Sequence, residues 1–168
     1  RSMLSLVTEI PNTIEGITAI GTLAGQMGVA GSEIDDFTAT VSKFSALSNV
    51  APTQAAEQIG RVAQLAGVSA ENYENLAAAV YETGVNAVAT EGMILSVMKE
   101  LSSVSTAYGL AAQDVTALSS AFASLGVSPE LARGSLQRVF AALDKSVVTG
   151  GTRLKDFAIT AGMTSEEF

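Results

Sequence analysis

The sequence contains no cysteine and no histidine among its 168 residues. These two side chains supply the usual zinc ligands, the thiol nucleophile and the commonest general base of enzymes. Their absence excludes several large classes of enzyme and metalloprotein and leaves only a carboxylate-based metal site open. It also leaves the redox compartment undetermined, because a domain without disulfides tolerates either environment.

Charged and aromatic residues are also scarce, at 15% and 5% of the chain. An average soluble domain carries roughly 25% charged residues, so we expect hydroxyl and amide side chains to supply much of the exposed surface. Small apolar side chains must do most of the packing. The formal net charge is -8 and the nine basic residues are scattered, which argues against direct nucleic-acid binding.

The chain has no long hydrophobic run. Its most apolar glycine-containing stretch, residues 17–30, is interrupted by Thr18, Thr22 and Gln26, whereas a transmembrane helix needs about 20 predominantly apolar residues. We therefore expect no membrane insertion by this chain. No signal peptide is readable after Arg1, and this opening predicts that the native N-terminus lies further upstream.

Helical periodicity is the clearest positive signal. Apolar residues recur at spacings of three and four, and no period-two alternation competes. The sequence therefore predicts an all-α fold of short amphipathic helices joined by glycine-containing turns, arranged as a helical hairpin array or bundle. The stripes are Ile34, Phe37, Val41 and Phe44; Ala55, Ile59, Val62 and Ala66; Tyr73, Leu76, Ala77 and Val80; Ile94, Val97, Met98, Leu101, Val104 and Tyr108; Val115, Leu118, Phe122 and Leu125; and Ala132, Leu136, Val139, Phe140, Leu143 and Val147.

Helix starts carry matching chemistry. Ser32, Ser69 and Ser128 are predicted N-caps because an acidic residue follows each of them in the first turn. Pro52 and Pro129 suit the first helical position, where a missing N–H group costs nothing.

Helix ends share one pattern, in which a glycine is followed by an apolar residue. This pattern indicates one kind of helix-to-helix joint used five times. The intervals between joints are 39, 42, 17 and 36 residues, and such uneven spacing does not indicate a solenoid repeat of fixed period. The joints are Gly28–Val29, Gly67–Val68, Gly109–Leu110, Gly126–Val127 and Gly162–Met163.

Two groups of residues, one glycine-rich and one acidic, resemble ligand sites. The stretch from Gly21 to Gly28 lacks the Lys-Ser/Thr of a phosphate-binding loop and follows no strand, so close helix packing or local flexibility explains it better. Glu33, Asp35 and Asp36 lack calcium-loop spacing and suit the first turn of a helix. Neither group predicts a bound ligand.

Two further groups are predicted to be structural. The hydroxyls of Ser102, Ser103, Ser105 and Thr106 have no base to activate them and should form a solvated helix face. The tyrosines Tyr73, Tyr81 and Tyr108 are too sparse for base stacking and should be partly buried core residues. We therefore predict no catalytic residue, no cofactor and no metal site.

From about Leu76 onward the sequence resembles the core region of the tape measure proteins of long-tailed phages and prophages. The resemblance covers most of the chain and is weakest over residues 1–20. Its most specific parts are Ser124–Glu130 and Arg133–Phe140, followed by Gly150–Gly151, Leu154, Phe157–Ala158 and Gly162–Phe168; upstream, Thr83–Asn86, Thr90–Glu91, Ile94 and Gly67–Glu71 are also similar.

This resemblance implies a structural role without catalysis. Tape measure proteins are largely helical, occupy the tail lumen during assembly, determine tail length and later leave the tail to help DNA enter the host. The expected partners are copies of the chain itself, tail tube proteins and tail assembly chaperones. The expected location is the tail lumen of the virion, and the host cytoplasm during assembly.

Three regions are predicted along the chain. Residues 1–31 form an N-terminal helical segment that matches the family poorly and for which flexibility is one interpretation, and residues 32–149 form the helical core. Residues 150–168 contain a hinge at Gly150–Gly151, which fits an ordinary tight turn equally well, and the start of a further helical region. The capping box at Thr164–Glu167 is a helix start, so we expect the chain to continue beyond Phe168.

Two other functions stay open at this stage. A bacterial helical scaffold, or a segment of a secreted effector that binds a partner protein, would have a similar composition. A carboxylate-based hydrolase would require two carboxylates that face each other across a cleft.

Overall fold

A computed structural model describes residues 13–149 and 152–164, which form eight α-helices and contain no β-strand. The predicted all-α fold is confirmed. A single turn of 3-10 helix at Ala70–Asn72 precedes the fourth α-helix. The helices are α1 (Ile14–Gln26), α2 (Ile34–Leu47), α3 (Pro52–Leu65), α4 (Tyr73–Asn86), α5 (Glu91–Tyr108), α6 (Ala112–Ser124), α7 (Pro129–Thr149) and α8 (Thr152–Ala161).

The helix starts recur at a nearly constant interval. The even-numbered helices begin at residues 34, 73, 112 and 152, which are 39, 39 and 40 residues apart. The odd-numbered helices begin at residues 14, 52, 91 and 129, which are 38, 39 and 38 residues apart. A constant period of this size is typical of solenoid repeats. The helix starts therefore show a period that the uneven spacing of the glycine joints did not indicate.

The spacing of the glycine joints did not indicate this period, because some joints follow odd-numbered helices and others follow even-numbered helices. Gly28, Gly67 and Gly109 follow the odd-numbered helices α1, α3 and α5, whereas Gly126 and Gly162 follow the even-numbered helices α6 and α8. Counting both series together gave uneven intervals.

The helices form two layers. In one layer α1 packs against α3, α3 against α5 and α5 against α7; in the other, α2 packs against α4 and α4 against α6. Helices within a layer run parallel, because contacts between α3 and α5 join Gln58 Nε2 to Ser96 Oγ at 3.0 Å and the carbonyl oxygen of Leu65 to the Thr106 hydroxyl at 2.6 Å. Consecutive helices of the chain are antiparallel.

This arrangement gives the array two edges. At the leading edge, defined by the joints 48–51, 87–90 and 125–128, an even-numbered helix ends and the next odd-numbered helix begins. At the trailing edge, defined by the joints 27–33, 66–72 and 109–111, an odd-numbered helix ends and the next even-numbered helix begins. The two edges differ in the chemistry that is described below.

The core repeats with the same period as the helices. Positions 38 or 39 residues apart are buried together, and α5 lies at the centre because it packs against α3, α4, α6 and α7. Most members of the predicted stripes contribute to this core. Equivalent buried positions include Ile20, Ile59, Met98 and Leu136 in the odd-numbered helices, and Phe37, Leu76 and Val115 in the even-numbered helices.

The predicted stripe of α7 is only partly buried. Ala132 and Leu136 are buried, but Val139 and Val147 are exposed. In the odd-numbered layer α7 contacts α5 on one side only, so part of its apolar stripe has no neighbouring helix within the described residues.

All five predicted glycine joints are confirmed. Each glycine has a positive φ, between 63° and 81°, in the left-handed region that other residues rarely adopt. The N–H group of the following apolar residue donates to a carbonyl five residues earlier, for example from Val29 to Ala24 at 3.0 Å and from Val127 to Phe122 at 3.0 Å. These bonds satisfy carbonyls that the helix end would otherwise leave unpaired.

The predicted helix starts are confirmed in part. Pro52 and Pro129 begin α3 and α7, and the Leu131 N–H group donates to Ser128 Oγ at 3.4 Å. Ser32 is not the N-cap of α2, because Glu33 takes that position without a side-chain bond, and Ser69 makes no capping bond. The remaining side-chain caps are Thr13, which accepts from Gly16 at 3.1 Å, and Thr90, which accepts from Met93 at 3.4 Å.

Helix α1 shares the core of the array. Ile20 and Ala24 of α1 belong to the same buried cluster as Phe37 of α2. The predicted hinge at Gly150–Gly151 and the Ser165–Glu167 part of the predicted capping box lie outside the described residues. No described helix is long and apolar enough to cross a membrane.

Candidate functional site

The glycine-rich stretch in α1 is not a loop. Gly21 is buried within the helix, and a Cβ added at Gly25 would lie 3.9 Å from Ile34 Cδ1 of α2. A phosphate-binding loop is therefore wrong for residues 21–28, whereas close helix packing is the role that the structure supports.

Acidic side chains line an open groove of about 580 Å³ between α2 and the start of α4. Glu33 and Asp36 contribute from one side, and Glu71 and Glu74 from the other. Glu74 pairs with Lys43 at 3.4 Å, and the two side chains are 72% and 53% exposed. A carboxyl group that acts as a general acid is usually held in an apolar pocket, and this groove is instead polar and solvated.

Metal binding finds no support in the same region. Asp35 and Asp36 occupy the first turn of α2, as predicted from the helix dipole. Within the described residues, no three potential ligands are grouped closely enough to hold a metal ion. The acidic groove is best described as a solvated helix-end surface.

The serine-rich stretch of α5 is divided between the core and the surface. Ser102 and Ser105 are buried, so the predicted solvated face is wrong for these two residues, while Ser103 and Thr106 are exposed as predicted. Ser102 Oγ donates to the Met98 carbonyl at 2.7 Å, and Ser105 Oγ donates to the Ser102 carbonyl at 2.9 Å. Such back-bonding satisfies a hydroxyl without solvent, and the small side chains let neighbouring helices approach α5 closely.

The tyrosines divide into two kinds. Tyr73 and Tyr81 are partly buried, as predicted, and Tyr73 meets Phe37 edge-on with ring centroids 5.4 Å apart. Burial raises the pKa of Tyr73, and the charge of Glu33 raises it further. Tyr108 is not a core residue, because it ends α5 on the surface, where its ring stacks on Phe140 at 4.2 Å and its hydroxyl donates to Asp144 Oδ2 at 3.2 Å.

A second groove, of about 430 Å³, opens at the leading edge. The start of α5, the joint 125–128 and Gln54 of α3 form its walls. The lining includes Val97 and Ala123, which are buried, and Met93, which is partly exposed. The groove is thus a mainly apolar recess between two parallel helices of the odd-numbered layer.

Large apolar side chains project from this edge. Val88 is 92% exposed and Leu125 is 78% exposed, and Leu47, Val85 and Leu131 are also exposed. At the trailing edge, the apolar residue after each glycine, such as Val29 or Val68, packs against the core instead. Among the joints of the described residues, those of the leading edge therefore expose the larger apolar side chains, Val88 and Leu125.

The charge of the leading edge is negative. Glu82 and Glu130 are exposed there, and the side chain of Glu91 lies so close to Gly84 that a Cβ at Gly84 would be 2.6 Å from Glu91 Cγ. None of the three joints contains a lysine or an arginine. Arg133, in the second turn of α7, pairs with Glu100 at 3.2 Å. Lys43, which lines one pocket with Leu47 and Glu82, pairs with Glu74 at 3.4 Å.

Several segments that carry the sequence resemblance meet at this edge. Thr83–Asn86 ends α4, Thr90–Glu91 begins α5, and Ser124–Glu130 contains the joint between α6 and α7. The sequence alone did not single out this surface, because its groove depends on which helices pack side by side.

The sequence matches the family of phage-related minor tail proteins over residues 2–167. The match spans nearly the whole chain, so the chain belongs to this family and is a phage tail protein associated with the virion. It includes the N-terminal residues over which the resemblance was weakest. No curated protein and no solved structure matches the chain.

Proposed function

We propose that this chain is a segment of a phage tail tape measure protein. The observation that carries the proposal is the family match over residues 2–167, and the resemblance of residues 83–94 and 124–140 to tape measure proteins refines it. The match favours this role over a bacterial scaffold or a secreted effector. In this role the segment helps to determine tail length and to assemble the tail, and it leaves the tail at DNA ejection.

The segment acts as part of the ruler in an extended form. A continuous helix of 168 residues would span about 250 Å at 1.5 Å per residue. The folded array covers far less, because parallel helices pack about 10 Å apart and one layer contains only four of them. Only the extended form therefore yields a large contribution to tail length.

The proposed role is structural and involves protein contacts. Copies of the chain, tail tube proteins and tail assembly chaperones would bind its exposed apolar helix faces, without catalysis and without a cofactor. The net charge of -8 would let the segment pass alongside DNA in the lumen without binding it. Tight, salt-sensitive binding of the chain to duplex DNA would contradict this part of the proposal.

Deleting these residues in frame from the phage gene tests the proposal. Electron microscopy of the particles should show tails shortened by about 250 Å, the length of the deleted helix. Infectivity should be measured on the same particles. Unchanged tails that fail to infect would place the segment in ejection and contradict the ruler, and unchanged infectious tails would contradict both roles.

A further inference from the structure

The leading edge combines three properties that bear on binding. It has a recess between α5 and α7, a row of exposed apolar side chains, and an acidic border without a nearby unpaired guanidinium. We propose that this edge is a docking surface for a basic amphipathic segment of another tail protein. The proposal rests on the proposed function only in taking the partner to be a tail protein.

The shape of the edge suits an inserted apolar side chain. The recess of about 430 Å³ is bordered by Gly92, Met93 and Gly126, and a Cβ at Gly126 would meet nothing within 4 Å. Methionine is a flexible side chain that adapts to different partners. An apolar anchor from a partner would therefore find a shaped pocket that needs little rearrangement.

Exposed apolar residues extend the contact on both sides of the recess. Val88 precedes α5 by three residues. Leu125 is the first residue of the joint that forms the opposite wall, and Leu131 lies in the first turn of α7. Because the repeat places one joint of this edge in each hairpin, the apolar residues form a row across the array, with Leu47 in the first hairpin. A row of this kind matches one face of an amphipathic segment.

Charge decides which partner fits. The carboxylates of Glu82, Glu91 and Glu130 border the apolar row, and no basic side chain occurs in the joints. Opposite potentials favour association, and like charges disfavour wrong partners. The partner segment should therefore carry lysine or arginine beside its apolar residues, and an acidic amphipathic segment should be rejected.

The test uses methyl-labelled chain and a synthetic 18-residue amphipathic helix of leucine and lysine as the probe. NMR titration should give saturable shifts of the Val88, Met93, Leu125 and Leu131 methyl groups. A peptide with the same leucine pattern and glutamate in place of lysine should produce no saturable shift at equal concentration.

Matched substitutions identify the surface. Leu125→Ser and Val88→Ser should each weaken probe binding at least fivefold, and because both side chains are largely exposed the fold should survive. Val148→Ser is the control, since Val148 is 86% exposed in α7 away from this edge, and it should leave the affinity unchanged. Glu91→Gln together with Glu130→Gln should weaken binding and reduce its dependence on salt.

Three results would overturn the proposal. One is equal binding of the lysine and glutamate peptides, and another is shifts confined to Val147 and Val148 at the end of α7. The third is a concentration-dependent dimer that buries the same methyl groups without any peptide, which would make a second copy the occupant. These results concern peptide binding and leave the tail-length measurement untouched. Failure of the docking proposal is therefore distinguishable from failure of the ruler proposal.

Discussion

Glycine has two opposite effects on stability in this chain, and φ decides which one applies. Gly126 ends α6 with a φ of 69°, whereas Gly134 lies within α7. A Cβ at either position would meet nothing within 4 Å, so sterics with neighbours do not distinguish them. A comparison of the two positions therefore measures the effect of backbone conformation, without a contribution from side-chain packing.

Alanine at these two glycines should shift stability in opposite directions. Gly126→Ala should lower the free energy of unfolding by about 1–2 kcal/mol, because a left-handed conformation strains a residue with a Cβ. Gly134→Ala should raise it by about 0.5–1 kcal/mol through helix propensity. Urea denaturation followed by circular dichroism measures both, and shifts of the same sign would contradict the assigned backbone conformations.

Residues at equivalent positions of successive repeats provide a second test at the residue scale. Thr38, Ala77 and Thr116 occupy one buried position in successive even-numbered helices. Thr116 Oγ1 donates to the Ala112 carbonyl at 2.9 Å, but Thr38 Oγ1 has no hydrogen-bond partner among the described residues. A buried hydroxyl without a partner is unfavourable.

Replacing each of these threonines by valine should separate the two environments. Thr38→Val should raise the free energy of unfolding by about 1 kcal/mol, since it removes an unpaired hydroxyl at nearly constant volume. Thr116→Val should lower it by about 1 kcal/mol, since it removes a bonded hydroxyl. Equal losses from both substitutions would show that Thr38 has a partner after all.

At the scale of single helices, the sequence predicted what is decided locally. The apolar stripes and the five glycine joints depend on residues within one or two turns, and they were found with nearly the right bounds. Ser102 and Ser105 were misjudged because their burial depends on helices that pack against α5 from elsewhere in the chain. The close contact at Gly60 was not predicted either: a Cβ there would lie 2.5 Å from Cε of Met27, the residue that directly follows α1.

The repeat itself was missed for a different physical reason. Different chemistry marks the successive starts in the odd-numbered layer: a Thr13 cap, Pro52, a Thr90 cap, and Ser128 with Pro129. Several side chains serve equally well at a helix start, so helix position recurs while residue identity does not. The candidate docking surface could not be predicted from local sequence either, because it joins segments about 38 residues apart.

The repeat makes a prediction about deletions. Removing residues 52–90 takes out one period, 39 residues, and joins the end of one leading-edge joint to the start of α5. The shortened chain should remain helical and unfold cooperatively, with a denaturant m-value lower by roughly a quarter because less surface is buried.

A deletion of half a period provides the matched control. Removing residues 52–71 shifts an even-numbered helix into the place of an odd-numbered one, so equivalent buried positions no longer align. This variant should lose cooperative unfolding by circular dichroism. If both deletions behaved alike, the period would have no structural meaning.

At the scale of the whole molecule, a repeat array suits a change from folded to extended. Each hairpin contacts mainly its neighbours in the two layers, so such an array can open in steps rather than all at once. The scarcity of aromatic residues, 5% of the chain, limits the size of the core that opening must expose. A compact array before assembly and an extended ruler in the tail are thus compatible with one sequence.

Tail length after deletion of one repeat tests the central claim most directly. Phages whose gene lacks residues 52–90 should assemble tails that are shorter by about 58 Å, the length of 39 residues of helix at 1.5 Å per residue. Electron microscopy of many particles resolves such a change in the mean length. Tails of unchanged length, or tails shortened by only the roughly 10 Å spacing of one packed helix, would contradict an extended ruler.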